Sequence, residues 1–303
     1  MRTYHEPVML QESVDALRIR PDGVYVDVTF GGGGHSNRIL ELLGSKGRLV
    51  VFDRDEDAAA NVIRDNRLVF VRHNYRYLYQ FMRYYDFLNV DGLLADLGIS
   101  SYQIDEASRG FSIRQDAPLD MRMNRLSGMT AADVLNQYSE EELLKVFSAY
   151  GEVHNSKTLA GRIVRERMVS PISGIADFRK MIAPVADKKN ETQYYAKVFQ
   201  ALRIEVNDEM NSLKEMLSQC IRVLKPGGRL AVITYHSLED RVVKNFISKG
   251  KFHGELEKDL FGNISGTPFQ SVVKKPVTPG EEELKKNPRS RSAKLRIAER
   301  TEH

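Results

Sequence analysis

Short apolar runs and amphipathic stretches alternate along the first third of the chain. Residues 24–28 form a short β-rich run that feeds directly into a cluster of glycines. The spacing of residues 36–43 predicts a helix stopped by Gly44. A second strand is predicted at 48–53, a helix at 56–66, a third strand at 68–71 and a fourth at 90–96. The second and fourth strands each end in an aspartate, Asp53 and Asp96. Strands and helices in turn, with short and nearly continuous apolar strands, predict a parallel sheet covered on both faces.

The pattern changes near residue 104. From there to about 204 the chain reads as helical and contains no convincing strand, which predicts a helical insertion between the fourth and fifth strands. Ser139-Glu140-Glu141-Glu142 is a capping-box signature, because Ser139 can cap the helix while Glu142 bonds back. Leu143, Leu144, Phe147 and Tyr150 then form its apolar stripe, and Gly151 is the expected stop. A further helix is predicted from 156 to 169. Apolar residues at steps of three and four from Phe199 to Leu224 predict one long helix, ended by Lys225-Pro226-Gly227-Gly228. A fifth strand follows at 229–235. Two late β-like runs, 268–274 and 293–298, are expected to pair antiparallel across a polar loop. No internal repeat is visible.

Composition narrows the class. The 303 residues are 42% hydrophobic and 28% charged, which suits a soluble protein with a real core. A single cysteine excludes an intramolecular disulfide and a thiolate metal cluster, and fits a reducing cytoplasmic compartment. No secretory leader and no bilayer-spanning run is expected, so no membrane partner is either. The net charge of +4 hints at nucleic acid only through clustering: Arg109, Arg114, Arg122 and Arg125 form one basic group, and Arg289, Arg291, Lys294, Arg296 and Arg300 another. The seven histidines show no metal-ligand spacing, and none is expected to hold a metal; His236 and Glu239, three apart, read as a helix-start cap.

The candidate chemistry begins at Phe30-Gly31-Gly32-Gly33-Gly34-His35. Glycines between a strand and a helix let a backbone approach a ligand, and the helix start offers N–H groups. The dinucleotide fingerprint is half matched: Gly31 and Gly33 fit, while Ser36 stands where the third glycine belongs. A bare tight turn with no ligand stays open on these residues alone. Asp53, about twenty residues further on, is where an acid meets ribose hydroxyls, whether of adenosylmethionine or of NAD.

Later residues discriminate. Leu224-Lys225-Pro226-Gly227-Gly228-Arg229-Leu230 resembles the turn before strand five of class I methyltransferases. That likeness implies an α/β, Rossmann-like sheet of seven strands with the last antiparallel, here carrying an inserted helical domain. Asp96 stands where amino methyltransferases place an acid or amide beside the acceptor nitrogen, although Leu97-Gly98-Ile99 follows in place of the usual Pro-Pro-aromatic.

Longer motifs tighten the match. His5-Glu6-Pro7-Val8, the run from Asp27 to Ser36, Asp96-Leu97-Gly98-Ile99-Ser100-Ser101, Arg109-Gly110-Phe111-Ser112 and Pro118-Leu119-Asp120-Met121-Arg122-Met123 resemble the bacterial ribosomal RNA small subunit methyltransferase H family. So do Phe199-Gln200-Ala201-Leu202-Arg203-Ile204, His236-Ser237-Leu238-Glu239-Asp240-Arg241 and Ser290-Arg291-Ser292-Ala293-Lys294-Leu295-Arg296. The resemblance implies S-adenosyl-L-methionine as cofactor and N4 of a cytidine in the decoding region of 16S ribosomal RNA as acceptor. It implies cofactor contacts at Gly33, Gly34, His35, Asp53, Tyr75, Asp96 and Gln103, with Asp96 also the candidate catalytic acceptor. The basic residues expected to meet RNA in the small ribosomal subunit are Arg109, Arg122, Arg203, Arg241, Arg291 and Lys294. The cofactor domain is expected at 1–104 and 205–303, and an RNA-recognition domain at 105–204; the oligomeric state is left open. Two departures stand out: Glu191-Thr192-Gln193-Tyr194-Tyr195-Ala196-Lys197 replaces a His-Pro-Ala-Thr-Arg type run, and Tyr235 replaces a phenylalanine before His236. A non-catalytic RNA-binding assembly factor and an NAD-dependent dehydrogenase are the rival readings.

Overall fold

The computed structural model describes residues 7–254 and 266–302; His5 and Glu6 of the first motif lie outside them. In chain order the elements are α1 (Leu10–Ala16), β1 (Val24–Asp27), α2 (Gly34–Leu42), β2 (Arg48–Phe52), β3 (Leu68–Val71), α3 (Leu78–Tyr84) and β4 (Val90–Asp96). Then come α4 (Ser101–Asp105), α5 (Ala131–Gln137), α6 (Glu140–Ala149), α7 (Ser156–Arg167), α8 (Ile175–Ile182), α9 (Glu191–Asn207) and α10 (Glu209–Val223). The chain finishes with β5 (Leu224–Thr234), α11 (Ser237–Lys249), β6 (Phe269–Ser271), α12 (Glu281–Lys286) and β7 (Lys294–Arg300).

The seven strands make one sheet in the order β3-β2-β1-β4-β5-β7-β6. β1 to β5 run parallel, and β7 lies antiparallel between β5 and β6. The central strands are buried along nearly their whole length, as both-face coverage requires, which is why their sequences read as nearly continuous apolar runs. The direction of β1, β2 and β4 has one consequence for function: their carboxyl ends place Asp27, Asp53 and Asp96 along one edge of three adjoining strands.

The fold divides into two compact units. One holds the described residues up to Gly98 and from Asn211 onward; the other is Ile99–Met210, where the sequence pattern placed the borders at 105 and 204. The second unit is helical around a core that includes Phe147, Leu159, Phe178 and Leu202. Its capping box forms as the pattern predicts, with Glu142 N–H donating to Ser139 Oγ at 3.3 Å and Ser139 N–H to Glu142 Oε2 at 2.7 Å. Leu143 and Phe147 are fully buried, while Leu144 and Tyr150 pack at the margin.

Four local expectations are corrected. The helix expected at 56–66 is a short 3₁₀ turn, Glu56–Asn61, because only Ala58 of those six residues is buried and no apolar stripe holds a longer one. The single long helix is two helices broken at Asp208, whose φ of 48° is left-handed. The break is fixed by Asn207, buried, whose side chain accepts from Met123 N–H at 2.8 Å and donates to Met121 O at 2.7 Å. Lys225-Pro226-Gly227-Gly228 does not precede the fifth strand but bulges within it: Leu224 pairs with Val90 and Arg229 with Gly92. Gly227 takes φ 77° there, and Lys225 bonds Asp91. The polar stretch after residue 274 contains α12, with Glu281, Glu282 and Glu283 at its start and Lys285 and Lys286 at its end, the order that suits the helix dipole.

Candidate functional site

β1 hands the chain to Thr29 and Phe30 and then to the glycines. Phe30 N–H donates to Phe52 O at 2.9 Å, which locks the loop entrance against β2. Gly31 has φ 51° and Gly33 φ 79°, conformations that glycine adopts without steric cost. The loop is gripped from β2 and from the turn beyond it. Gly31 N–H donates to Asp53 Oδ2 at 2.8 Å, and Asn61 Nδ2 donates to Gly31 O at 2.9 Å. Gly34 opens α2 and is needed for space: a Cβ there would lie 2.1 Å from Pro7 Cγ. His35, also buried, has its Nε2 3.1 Å from Val8 O. A carbonyl can only accept, so Nε2 carries a proton and Nδ1 faces Asp96, 3.8 Å from Oδ2.

The acids at this edge are tied together. Asp27 is buried and accepts from Ser36 Oγ at 2.6 Å and from Thr29 N–H at 3.0 Å. Ser36, which breaks the dinucleotide fingerprint, therefore pins α2 to the end of β1. Thr29 Oγ1 accepts in turn from Asp96 N–H at 2.6 Å. Asp96 keeps 23% of its side chain open, and its Oδ1 accepts from Tyr235 Oη at 2.7 Å. Burial raises the Asp96 carboxyl to about 6, against the opposing pull of His35 and the Tyr235 hydroxyl. Asp53 is likewise raised to about 6, by burial first, although it accepts from the backbone N–H groups of Asp55 and Gly31. Two carboxyls that titrate near neutrality, beside a glycine loop and a helix start, make a candidate binding and proton-handling edge.

Gly33, Gly34, His35, Asp53 and Asp96 are thus brought together in one unit. Tyr75 begins a 3₁₀ turn just beyond the carboxyl end of β3, half-buried, with Asn74 capping the turn. Leu78 and Met82, on α3 just after it, are core residues. Gln103 belongs to the helical unit, where its Oε1 accepts from Ser100 N–H at 3.0 Å in a capping box. Sequence reasoning missed Asp27, Ser36, Asn61 and the hydroxyl of Tyr235. Asp27 carried a legible signal, an acid ending a strand just before glycines.

The basic residues separate into different roles. Arg109 is 1% exposed and donates through Nη2 to Arg122 O at 3.0 Å and Met123 O at 3.1 Å. It ties a loop inside the helical unit and presents no surface to RNA, which corrects its expected role. Arg122 forms a fork with Asp120 at 2.8 and 2.9 Å, and Arg203 one with Glu209 at 3.0 Å, so both charges are matched locally. Lys294 is 45% exposed, 3.5 Å from Asp240, which also holds Arg296 at 2.6 Å. Arg241 and Arg291 are exposed. His236 caps α11 as its spacing suggested, its Nδ1 accepting from Glu239 N–H at 3.4 Å. The Lys-Pro-Gly-Gly bulge sits at the start of β4, a strand length of about 20 Å from Asp96, so it marks the fold and touches none of the site.

The donor set suits adenosylmethionine: glycine backbone for close approach, acids for ribose hydroxyls and for a cationic amine. Asp53, the Gly33–Gly34 backbone and Asp96 are the groups that would hold it.

Comparison with known proteins agrees. The profile of the MraW methylase family matches residues 2–301. Ribosomal RNA small subunit methyltransferase H of Parabacteroides distasonis is 59% identical over 298 residues, covering 98% of this chain and 97% of that protein. The protein of the same name from Bacteroides fragilis is 57% identical, covering 98% of each, and that from Cytophaga hutchinsonii 54% identical, covering 98% and 99%. A glycine loop braced by strand-end acids on a 3-2-1-4-5-7-6 sheet, matched end to end at this identity, makes the chain a member of the MraW methylase family.

Proposed function

We propose that this protein transfers the methyl group of S-adenosylmethionine to the exocyclic N4 of a cytidine in the decoding region of 16S ribosomal RNA. The observation that carries the reading is end-to-end identity above one half with proteins named ribosomal RNA small subunit methyltransferase H. The partly open carboxylate of Asp96 at the strand edge supports it chemically.

Bound adenosylmethionine supplies a methyl carbon already activated by the positive sulfur. The work left to the protein is mostly placement, and such orientation is worth about 7–11 kcal/mol. Asp53 and the glycine backbone hold the cofactor. Asp96 accepts a hydrogen bond from N4 as the nitrogen's lone pair leaves conjugation with the ring. As N4 takes the methyl group that bound adenosylmethionine would supply, leaving a neutral thioether, Asp96 takes the proton that N4 releases. With its carboxyl near 6, Asp96 is ionised and ready to accept at neutral pH. The cytosine must leave its stack, which costs a few kcal/mol unless the RNA is already open. The helical unit, Ile99–Met210, serves as the RNA-recognition domain, and exposed Arg241 and Arg291 meet phosphates.

The test is transfer from tritiated adenosylmethionine to small ribosomal subunits lacking the modification. Label recovered as N4-methylcytidine supports the proposal. Cofactor binding with no incorporation favours a non-catalytic assembly factor, and binding of NAD in place of adenosylmethionine favours a dehydrogenase.

A further inference from the structure

The contact between Tyr235 and Asp96 joins two strand ends that the sequence separates by 139 residues. β5 runs beside β4 with Ile233 opposite Asp96, and Leu97 N–H donates to Ile233 O at 3.0 Å. Tyr235 is the first residue past β5, so its side chain starts level with the end of β4. Its backbone is fixed as well, the N–H donating to Glu239 Oε2 at 2.9 Å. Gly98, at φ 99°, lies against the ring; a Cβ there would be 3.3 Å from Tyr235 Cδ2. The ring also packs against the sheet core.

The phenol thus has one place to put its hydroxyl, on Asp96 Oδ1 at 2.7 Å. Burial and the neighbouring acids Asp96, Glu239 and Glu283 keep the phenol far above its ordinary range, so at working pH it is a neutral donor. Asp96 is held at two points, by the phenol on Oδ1 and by Thr29 on its backbone N–H. Oδ2, on the side of His35, is the oxygen turned away from that clamp.

We propose that Tyr235 is a positioning residue for methyl transfer: its hydroxyl fixes the Asp96 carboxylate in one orientation, so that Oδ2 receives the substrate amine. This rests on the functional reading above. The role is specific to the oxygen, because phenylalanine at this position would keep the ring against Gly98 and lose only the donor. The charged and titratable groups that face Asp96 are His35 from α2, Asp27 from β1, Glu239 from α11 and Tyr235 itself. Of these, Tyr235→Phe removes one hydrogen bond and changes no formal charge. Losing a donor to the ionised form makes that form harder to reach.

The experiment is the pH dependence of kcat/KM for Tyr235→Phe beside wild-type, with a carbon-13 titration of the Asp96 carboxyl in both. Asp96→Ala assigns the resonance. The acid limb and the titration are both expected to move up by about half to one pH unit in Tyr235→Phe. The rate deficit is then several-fold at pH 6 and smaller at pH 8. KM for adenosylmethionine is expected to stay within about twofold, since the ring and the loop are untouched. An active Tyr235→Phe enzyme whose acid limb and titration both coincide with wild-type overturns this inference and leaves the functional reading standing. Wild-type protein that binds cofactor but transfers no methyl overturns both.

Discussion

Gly34→Ala isolates how closely the N-terminal segment closes over the glycine loop. Gly34 has helical backbone, so the substitution adds no conformational strain; what it adds is one carbon where Pro7 already lies. That carbon would sit 2.1 Å from Pro7 Cγ, 3.1 Å from Cδ and 3.4 Å from Cβ. Ordinary carbon contacts begin near 3.5 Å, so the ring must retreat by roughly 1.4 Å. The neighbouring contact, His35 Nε2 to Val8 O at 3.1 Å, shares the displaced segment. Overpacking of this kind costs about 1–3 kcal/mol, and alanine's better helix propensity returns less than about 1. The expected loss is about 2 kcal/mol, a fall of roughly 4–8 °C in Tm for a unit of this size. Thermal unfolding of Gly34→Ala, Pro7→Ala and the double variant measures it. Pro7→Ala removes the two ring carbons that clash and keeps the tolerable one, so the double variant is expected to recover most of the loss, with a coupling of about 1–2 kcal/mol. A Gly34→Ala protein as stable as wild-type, or a double variant with simply additive losses, refutes the packing argument.

Two further outcomes follow from the buried charges. Asp53 sits near 6 in the folded protein against an ordinary 3.8, so the folded state binds its proton more tightly than the unfolded chain does. Its contribution to stability is therefore full below about pH 4 and declines as pH rises through about 6. Asp53→Asn lacks that decline. Denaturant unfolding at pH 5 and 7.5 is expected to show the variant gaining on wild-type by up to about 1.4 kcal/mol, less what solvent screens at its open edge; a pH-independent difference contradicts it. Arg109→Ala leaves two backbone carbonyls without their donor inside the helical unit and opens a cavity. Denaturant unfolding should reveal a loss of about 2–4 kcal/mol, whereas a variant of wild-type stability with weakened RNA binding would restore Arg109 to the substrate surface.

Much of the sheet was legible because parallel, doubly covered strands leave short apolar runs that little else imitates. The capping box at Ser139 was legible for a similar reason: its chemistry lies within four consecutive residues. What the pattern hid depends on distant partners. Asp208 looks helical in sequence, and its left-handed turn is set by Asn207 bonding to Met121 and Met123, more than eighty positions away. Arg109 reads as a surface cation until its burial is known. At the site, Gly33, Gly34, Asp53 and Asp96 were found from strand ends and loop composition. Ser36 appeared only as a failed glycine, and its bond to Asp27 explains why the motif departs there. Tyr235 looked like a neutral exchange of aromatics because the sequence cannot show which oxygen its hydroxyl meets.

The central step is Asp96 receiving the amine of a cytidine. Small-subunit RNA from cells lacking this gene, complemented with wild-type or Asp96→Ala protein at equal abundance, puts that to the test. Digestion to nucleosides and mass spectrometry should show N4-methylcytidine restored by wild-type and reduced at least a hundredfold with Asp96→Ala, a factor on the scale of general-base catalysis. Full restoration by Asp96→Ala would contradict the assigned role, and its absence with the wild-type protein would contradict the function itself.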